Sequence, residues 1–419
     1  MTSASIPFVI LFLFRYVRLV VNIIAWLLSR PYPVLEKRNY TPKDVTVIIP
    51  TVDVGEAFVD CIRSIVATGP AHVIVVTVGL NLLGAAKMAC VRIDPKIKCQ
   101  AIKRPSKRNQ IAHALPSVKT SITVFADDHV FWPSGYLDQL IAPFENSRIG
   151  IVGTVKRVRR HFQGYTWADF WNFIACLYLE RHNMEMLATN TIDGGVFIIS
   201  GRTCAVRSYI VQDPRFLEAY TNEYIGRIGP LNADDDNFVV RWMVDHGWKI
   251  KFQGGHESAV METTLGEYPK FCHQLVRWSR TTWRCHPRRL SSAATWKSHP
   301  WCVYAVYITS FVNFALFYDT ALICSLYAAV AHELYATPSM VGLICWILCS
   351  KLIKPAPHLW RYPQDIFWLP GAIVFGYAHS LIKLYSLCTF YVIALGSRSL
   401  VDHPDEIEMR LEKETSVVV

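Results

Sequence analysis

Long apolar segments stand near both ends of the chain, and a stretch of alternating apolar and polar residues lies between them. Ile6–Leu28 is nearly all apolar and is long enough to cross a hydrocarbon core of about 30 Å. After the centre come the apolar residues 303–331, 340–350 and 366–395. The first predicts a transmembrane helix, the second a span or re-entrant segment, and the third one tilted helix or two shorter pieces. The pattern predicts an integral membrane protein with one soluble domain.

Charged residues interrupt the first and last of these apolar segments. Arg15 and Arg18 lie one turn apart in the first. They are compatible with a membrane helix whose arginines face protein or reach the surface, and with an amphipathic helix in the membrane interface. A cleaved signal peptide is not expected, because the arginines lie inside the apolar region and no small-residue cleavage site follows. Lys383 lies in the last segment, where it either reaches the surface or faces a polar path.

The central stretch alternates short apolar runs with amphipathic ones. Residues 45–51, His72–Val78 and Ile122–Ala126 are rich in β-branched residues, as buried strands are. Residues 55–68 have the apolar spacing of a helix. Strands that alternate with helices predict an α/β fold with a mostly parallel sheet and right-handed crossovers. Ligands of such sheets bind beyond the carboxyl ends of the strands.

Basic residues flank the central stretch on both sides, within a chain of 419 residues and net charge +10. They are Arg30, Lys37, Arg38 and Lys43 before it, and Arg284, Arg288, Arg289 and Lys297 after it. This placement predicts a cytosolic domain, and basic charge beside a membrane indicates contact with the lipid bilayer rather than nucleic acid. The 12 cysteines form no C-x-x-C pair, which favours reduced cysteines over disulfides or zinc sites.

Two carboxylates and an imidazole follow the third predicted strand directly, those of Asp127, Asp128 and His129. Two carboxylates and an imidazole at a strand end can hold Mg²⁺ or Mn²⁺ against a diphosphate. A turn with solvated aspartates is the alternative.

A basic loop, residues 103–109, follows an apolar strand and leads into a helix. Lys107 and Arg108 open that helix, whose free backbone N–H groups would add to their attraction for phosphate. The loop predicts a phosphate clamp, and a solvated basic loop is the alternative.

Three successive aspartates, Asp234, Asp235 and Asp236, precede an apolar helix. One such carboxylate beside a sugar hydroxyl can act as general base, whereas capping of the helix by Asp234 or Asp235 needs no catalysis. Residues 194–207 are punctuated by glycines and predict a strand, a loop and a second strand, where backbone can approach a ligand.

Gln274, Arg277 and Trp278 form a Q-x-x-R-W pattern shortly before the sequence becomes apolar again. Offsets of three and four residues place the three side chains on one face of a helix. That face offers a cation for phosphates and a flat surface for a sugar ring. An ordinary tryptophan in a core or interface is the alternative.

Taken in order, these features resemble the membrane-bound, processive family-2 glycosyltransferases, the group of hyaluronan, cellulose and chitin synthases. The resemblance covers roughly residues 45–399 and is closest to hyaluronan-synthase-like enzymes of fungal type, to which the stretch KLYSLCTFYVIALGSR is similar. It implies a nucleotide-sugar-binding domain of GT-A type inserted between transmembrane helices. The expected divisions are an N-terminal transmembrane or interfacial helix (1–30), a linker (31–44), the cytosolic domain (45–287), an interfacial segment (288–302), transmembrane helices (303–397) and a polar tail (398–419).

The resemblance also implies residue roles, with Mg²⁺ or Mn²⁺ as cofactor and a UDP-sugar as donor. The metal site is Asp127, Asp128 and His129; the donor site is Thr51, Asp53, Lys107, Arg108 and Asp127; the catalytic set is Asp235 as base with Asp234, Gln274, Arg277 and Trp278. The sequence departs from the family after the second strand, where Thr77, Val78 and Gly79 stand in place of an aspartate that contacts uracil.

The implied function is an inverting hexosyl- or N-acetylhexosaminyltransferase that extends a glycan and extrudes the polysaccharide. A multi-pass protein of the plasma membrane, rather than the Golgi, is expected. Two alternatives stay open: a non-processive transferase that glycosylates a lipid, and a non-catalytic membrane scaffold with the same fold. The oligomeric state is open.

Overall fold

A computed structural model gives the structure of residues 5–393. The strands in this range are β1 (Val45–Pro50), β2 (His72–Val78), β3 (Lys98–Ile102), β4 (Ile122–Ala126), β5 (Val130–Phe131), β6 (Ile149–Thr154), β7 (Lys156–Val158), β8 (Thr203–Arg207), β9 (Lys249–Gln253) and β10 (Met261–Thr263). The helices are α1 (Ile6–Leu28), α2 (Glu56–Ala67), α3 (Gly79–Val91), α4 (Lys107–Ala114), α5 (Tyr136–Ile141), α6 (Trp167–Asp193), α7 (Ser208–Val211), α8 (Pro214–Thr221), α9 (Asp235–Asp245), α10 (Lys270–Leu290), α11 (Ala293–Ser298), α12 (Pro300–Cys302), α13 (Thr309–Val312), α14 (Ala315–Val330), α15 (Ala336–Leu352), α16 (Ala356–Arg361) and α17 (Leu369–Cys388).

A seven-stranded sheet in the order β3-β2-β1-β4-β8-β6-β9 forms the centre of the molecule. Strands β3, β2, β1 and β4 are parallel, and so are β6 and β9. Strand β8 is antiparallel to both of its neighbours, which makes the sheet mixed. The three strands expected from the sequence are all present. Strand β3 precedes the basic loop, but it is not apolar as expected: it contains Lys98 and Gln100, and it is only partly buried at the edge of the sheet.

Both faces of this sheet are covered by apolar layers. Val47 and Val124 lie in one layer, with side chains of α2 and α5. Ile48 and Phe125 lie in the other, with side chains of α4, α8 and α9. Burial on both faces explains why these strands are apolar throughout rather than alternating.

The expected strand at the start of residues 194–207 is absent, and of that stretch only β8 is extended in a sheet. The preceding backbone packs against the segment after α11 instead. The Tyr307 hydroxyl donates to the Val196 carbonyl at 3.0 Å, and the Cys302 N–H donates to Asp193 Oδ2 at 2.9 Å. The prediction failed because these partners, more than a hundred residues away, take the place of a neighbouring strand.

Two segments of the described chain are long and apolar enough to cross a membrane, α1 and Pro363–Cys388. A third region is divided: Pro300–Val312 and Ala315–Val330 meet at 87°. The prediction of one helix over residues 303–331 is therefore wrong. At the break the Leu316 N–H donates to Ser380 Oγ at 3.1 Å, so α17 supplies a partner that the helix lacks.

Helix α15, of 17 residues, matches the predicted short segment. The residues from 394 onward, which include the polar tail 398–419 and the end of the KLYSLCTFYVIALGSR stretch, lie outside the described residues.

The two arginines of α1 face protein. Arg15 forms an ion pair with Asp319 of α14, whose other oxygen lies 2.8 Å from Lys351 Nζ. Arg18 donates to the Ala305 carbonyl at 2.9 Å. These contacts agree with the interpretation of α1 as a helix packed among others, since its charged side is covered by the C-terminal segments.

Candidate active site

Lys107 lies at the centre of a cluster of carboxylates at the carboxyl ends of the parallel strands. Its Nζ is 2.7 Å from Asp127 Oδ1, 3.0 Å from the Gly201 carbonyl oxygen and 3.3 Å from Asp235 Oδ2. Burial alone would lower the pKa of Lys107, but Asp127 and Asp235 together hold it well above its ordinary value. Lys107 is therefore a fixed cation, and we refer to the space bordered by Lys107, Asp127 and Asp235 as the cleft.

Asp127 follows β4 without a gap, and its backbone N–H donates to the Arg202 carbonyl at 2.8 Å. Burial would raise the pKa of Asp127, but Lys107, and to a smaller extent His129, keep it below its ordinary value. Asp127 is thus a carboxylate at neutral pH, held at a strand end where ligands of α/β sheets bind.

Asp235 is the first residue of α9, and one of its oxygens faces Lys107. Within the described residues its Oδ1 has no hydrogen bond, which leaves that atom able to accept a proton. The neighbouring Asp236 accepts from the N–H groups of Gly201 at 3.1 Å and Asn237 at 2.8 Å. Burial and the adjacent Asp235 raise the pKa of Asp236 to about 6.

Asp234 has a different environment. Its backbone is left-handed, with a φ of 63°. Arg284 of α10 contacts both of its oxygens, with Nε at 2.6 Å and Nη2 at 3.0 Å, and Thr281 adds a hydroxyl bond. Both partners are almost fully buried. Asp234 therefore joins α9 to α10, and its carboxylate is already occupied.

Asp128 is buried behind Asp127 and supports the turn. Thr51 Oγ1 donates to Asp128 Oδ2 at 2.6 Å, and His129 Nδ1 lies 2.9 Å from Asp128 Oδ1. Thr51 Oγ1 also accepts from the N–H of Asp53 at 3.1 Å. The side chain of Asp53 is exposed at the end of β1. Strands β1 and β4 are therefore joined at their carboxyl ends by a side-chain network.

The expected metal ligands do not converge as a preformed site. No three His, Cys, Asp or Glu side chains of residues 5–393 come together in a way that could hold a metal ion. Mg²⁺ is commonly held by one or two carboxylates together with substrate phosphates. Asp127 fits that arrangement as a direct ligand, whereas Asp128 already has a partner on each oxygen.

Arg108 faces away from the cleft, although it adjoins Lys107. Its guanidinium is buried and donates to Glu223 at 2.7 Å and to the carbonyl oxygens of Tyr220 and Ala233 at 2.8 Å. Arg108 thus ties α4 to the segment before α9, and of the two residues predicted to open a phosphate clamp only Lys107 faces the carboxylate cluster.

Gln274, Arg277 and Trp278 are half-buried on α10. Trp278 is stacked on Tyr178, with ring centroids 5.3 Å apart, and the Arg202 guanidinium lies 5.3 Å from the centre of the same ring. The Nε of Arg277 is buried and has no hydrogen bond among the described residues. Trp278 therefore belongs to an aromatic cluster at the side of the cleft.

Two further cations at the cleft were not predicted from the sequence. Burial lowers the pKa of Arg202, an effect that Asp127 opposes and Arg277 increases. Lys156 is also buried, and burial lowers its pKa to about 7. The glycine before Arg202 was a signal that could have found it, since a tight turn there was expected. Lys156 opens a basic run with Arg157, Arg159 and Arg160, and nothing in the local pattern sets it apart from them.

Comparison with known proteins places these residues in a family. Residues 42–281 match the family described as "Glycosyltransferase like family 2". A "Type 2 glycosyltransferase" of Pyricularia oryzae is 38% identical over 95% of this chain and 83% of its own length. A "Type 2 glycosyltransferase" of Zymoseptoria tritici is 37% identical over 96% of this chain and 86% of its own.

A similar fold is found in the mannosyltransferase PcManGT of Pyrobaculum calidifontis, which was solved in complex with GDP-Man and Mn²⁺. The two chains are 15% identical, with a TM-score of 0.57 over 92% of this chain and 99% of that one.

Proposed function

Because the chain belongs to glycosyltransferase family 2 and has its GT-A fold, we propose that it transfers a sugar from a UDP-sugar to an acceptor hydroxyl with inversion. One observation carries this proposal: Lys107 contacts both Asp127 and Asp235. A fixed cation (Lys107), a carboxylate that can hold a metal (Asp127) and a candidate base (Asp235) are therefore close together.

In the proposed reaction the acceptor oxygen attacks the anomeric carbon of the donor, and the bond from that carbon to the diphosphate breaks. Asp235 receives the hydroxyl proton through Oδ1. Lys107 and Arg202 face the diphosphate, where negative charge develops as UDP departs. Attack from the side opposite the leaving group inverts the anomeric configuration.

A divalent cation, when bound, would add positive charge on the departing diphosphate. Asp127 would hold it together with oxygens of the nucleotide. Asp53, exposed beside Thr51 at the end of β1, is our candidate for contact with the nucleobase, since the second strand lacks an acidic residue at its end.

The acceptor has two possible forms that use the same chemistry. Growth of a glycan with extrusion across the plasma membrane is the form that the family resemblance implies. A single transfer to a lipid is the second form, and a cavity between α1 and α17, lined by Arg15, Arg18 and Arg181, favours it. Apart from these two acceptors, the remaining alternative is a non-catalytic scaffold, which predicts no turnover at all.

The test is UDP release by the full chain, purified in detergent, across a panel of UDP-sugars with Mn²⁺ or Mg²⁺. Asp235→Asn should lower kcat by about 10²–10⁴-fold, the usual contribution of a general base. Asp245→Asn is the matched control, because Asp245 is exposed on the same helix. Wild-type turnover by Asp235→Asn would remove the proposed mechanism, and no UDP release with any donor would support the scaffold. The size of the labelled product separates polymer from glycolipid.

A further inference from the structure

Two adjoining cavities lie among the apolar helices beside the aromatic cluster of α10. Their volumes are about 270 and 240 Å³, and both are lined by Arg15, Arg18, Arg181 and Lys354. The second is also lined by Trp278, so it reaches the helix that borders the catalytic cleft. We refer to the pair as the basic cavity.

Cations outnumber carboxylates in the walls of the basic cavity. Arg15 shares Asp319 with Lys351, and Lys354 is paired with Glu185. Asp319 is thus shared by two cations, and Glu185 attracts Lys354 and, at longer range, Arg181 and Arg18 as well.

Three further cations have no carboxylate partner within residues 5–393. Arg18 donates to the carbonyl of Ala305, and Lys383 donates to the carbonyl of Ser310 at 2.8 Å. Arg181 contacts the ring nitrogen of His182 at 3.4 Å and lies 5.1 Å from the centre of the Tyr178 ring, and its buried Nε has no hydrogen bond in the described chain. Such groups are costly among apolar helices unless an anion compensates them.

The walls of the basic cavity indicate which kind of molecule would bring an anionic group to these cations. The larger part has an apolar wall that includes Ile174, Leu177, Ile373 and Phe375. It lies between α1 and α17, which belong to the two candidate membrane spans. A ligand with a charged head and an apolar body matches both walls. Arginine pairs with phosphate through two parallel hydrogen bonds, which favours phosphate as the head.

We propose that the basic cavity binds the phosphate or diphosphate of a lipid acceptor, whose head-group hydroxyl is then presented at Trp278 to the catalytic cleft. This inference rests on the proposed function and names its acceptor class. A glycan that carries carboxylates is the competing occupant.

The experiment measures ligand-induced thermal stabilisation of the full chain in a neutral detergent. The probes are dodecyl phosphate, inorganic phosphate, uncharged dodecyl maltoside and an oligosaccharide of uronic acids. Dodecyl phosphate alone should raise the Tm in a saturable manner. Arg181→Gln should weaken its binding by about tenfold or more, as expected for loss of a hydrogen bond between charged groups. Arg215→Gln is the control, because Arg215 is exposed on α8.

Each other outcome overturns the inference. Equal stabilisation by inorganic phosphate indicates an ion site without a lipid, and stronger stabilisation by the uronic acid oligosaccharide indicates a glycan. If Arg181→Gln binds dodecyl phosphate as tightly as the wild type does, the binding site is not the basic cavity. Lys383→Gln removes another cation that lines the second cavity and keeps the test decisive if Arg181→Gln does not fold.

The same protein separates this inference from the proposed function. If UDP release depends on Asp235 but dodecyl phosphate does not bind, the lipid-phosphate site is refuted and the transferase activity is retained. If dodecyl phosphate binding depends on Arg181 but no donor yields UDP, the proposed transferase activity is refuted and the lipid-phosphate site is retained.

Discussion

Gly201 gives a sharp test of how closely Lys107 must be placed. A methyl group at this position would lie 2.9 Å from Lys107 Nζ and 3.3 Å from Asp235 Oδ2. The ammonium group must therefore move, and the movement lengthens its 2.7 Å contact with Asp127. Displacement of a catalytic group by about 1 Å can cost roughly 10²-fold in rate. We expect Gly201→Ala to lower kcat by about that factor.

The stability of the same variant should hardly change. Gly201 does not have a left-handed backbone, so alanine adds no backbone strain there. The lost freedom of the unfolded chain stabilises the variant by up to about 1 kcal/mol, and the displacement of Lys107 opposes this gain. The assay therefore combines UDP release with thermal unfolding. Gly84→Ala, on the exposed side of α3 with no atom within 4 Å of the new methyl, should leave kcat unchanged. Wild-type turnover by Gly201→Ala would show that the position of Lys107 does not limit the reaction.

Two further predictions concern buried charges. Arg284→Met should lower the free energy of unfolding by about 3–5 kcal/mol, because Asp234 stays buried without its partner; a loss below 1 kcal/mol, close to that of Arg215→Met, would contradict this reasoning. The pKa of Lys156 is about 7 in the folded protein, against an ordinary 10.5, so between these values the unfolded chain holds a proton that the folded chain has released. Stability should therefore rise with pH across this window, and Lys156→Met should flatten the rise in Tm between pH 7 and 9.

Features of the site that depend on neighbours in sequence were accessible from the sequence alone. Asp127 follows β4 directly, so an apolar run and the acid after it were enough to place this carboxylate at a strand end. Asp235 likewise begins α9, where the row of aspartates meets an apolar helix. The placement of Asp127 needed only the rule that ligands bind at the carboxyl ends of parallel strands, whereas the choice of Asp235 among the three aspartates came from the family resemblance.

Choices between adjacent residues of the same type depended on distant partners. Lys107 and Arg108 are consecutive on α4, yet one faces Asp127 and the other faces Glu223, 115 residues away. Asp234 is taken by Arg284, 50 residues further along the chain. Neither partner is visible in a local pattern, which is why Arg108 and Asp234 were grouped with the residues of the cleft.

The bend near Asn313 was missed for the same reason, because it depends on a distant partner. An apolar run indicates that a segment is shielded from water, but it does not indicate whether the helix is straight or bent. The bend is supported by Ser380 on α17, which bonds the N–H of Leu316, 64 residues earlier in the chain. Hydropathy predicted the segment correctly and its continuity wrongly.

The ion pair between Arg15 and Asp319 has a consequence for how the protein is made. The two residues are 304 positions apart, and chains grow at about 5–20 residues per second. Arg15 is therefore synthesised roughly 15–60 s before its partner leaves the ribosome. During that interval α1 lacks the counter-charge that it has in the finished protein. Until Asp319 has been made, Arg15 must therefore stay in contact with water or with another partner, because a buried charge without a counter-charge is costly.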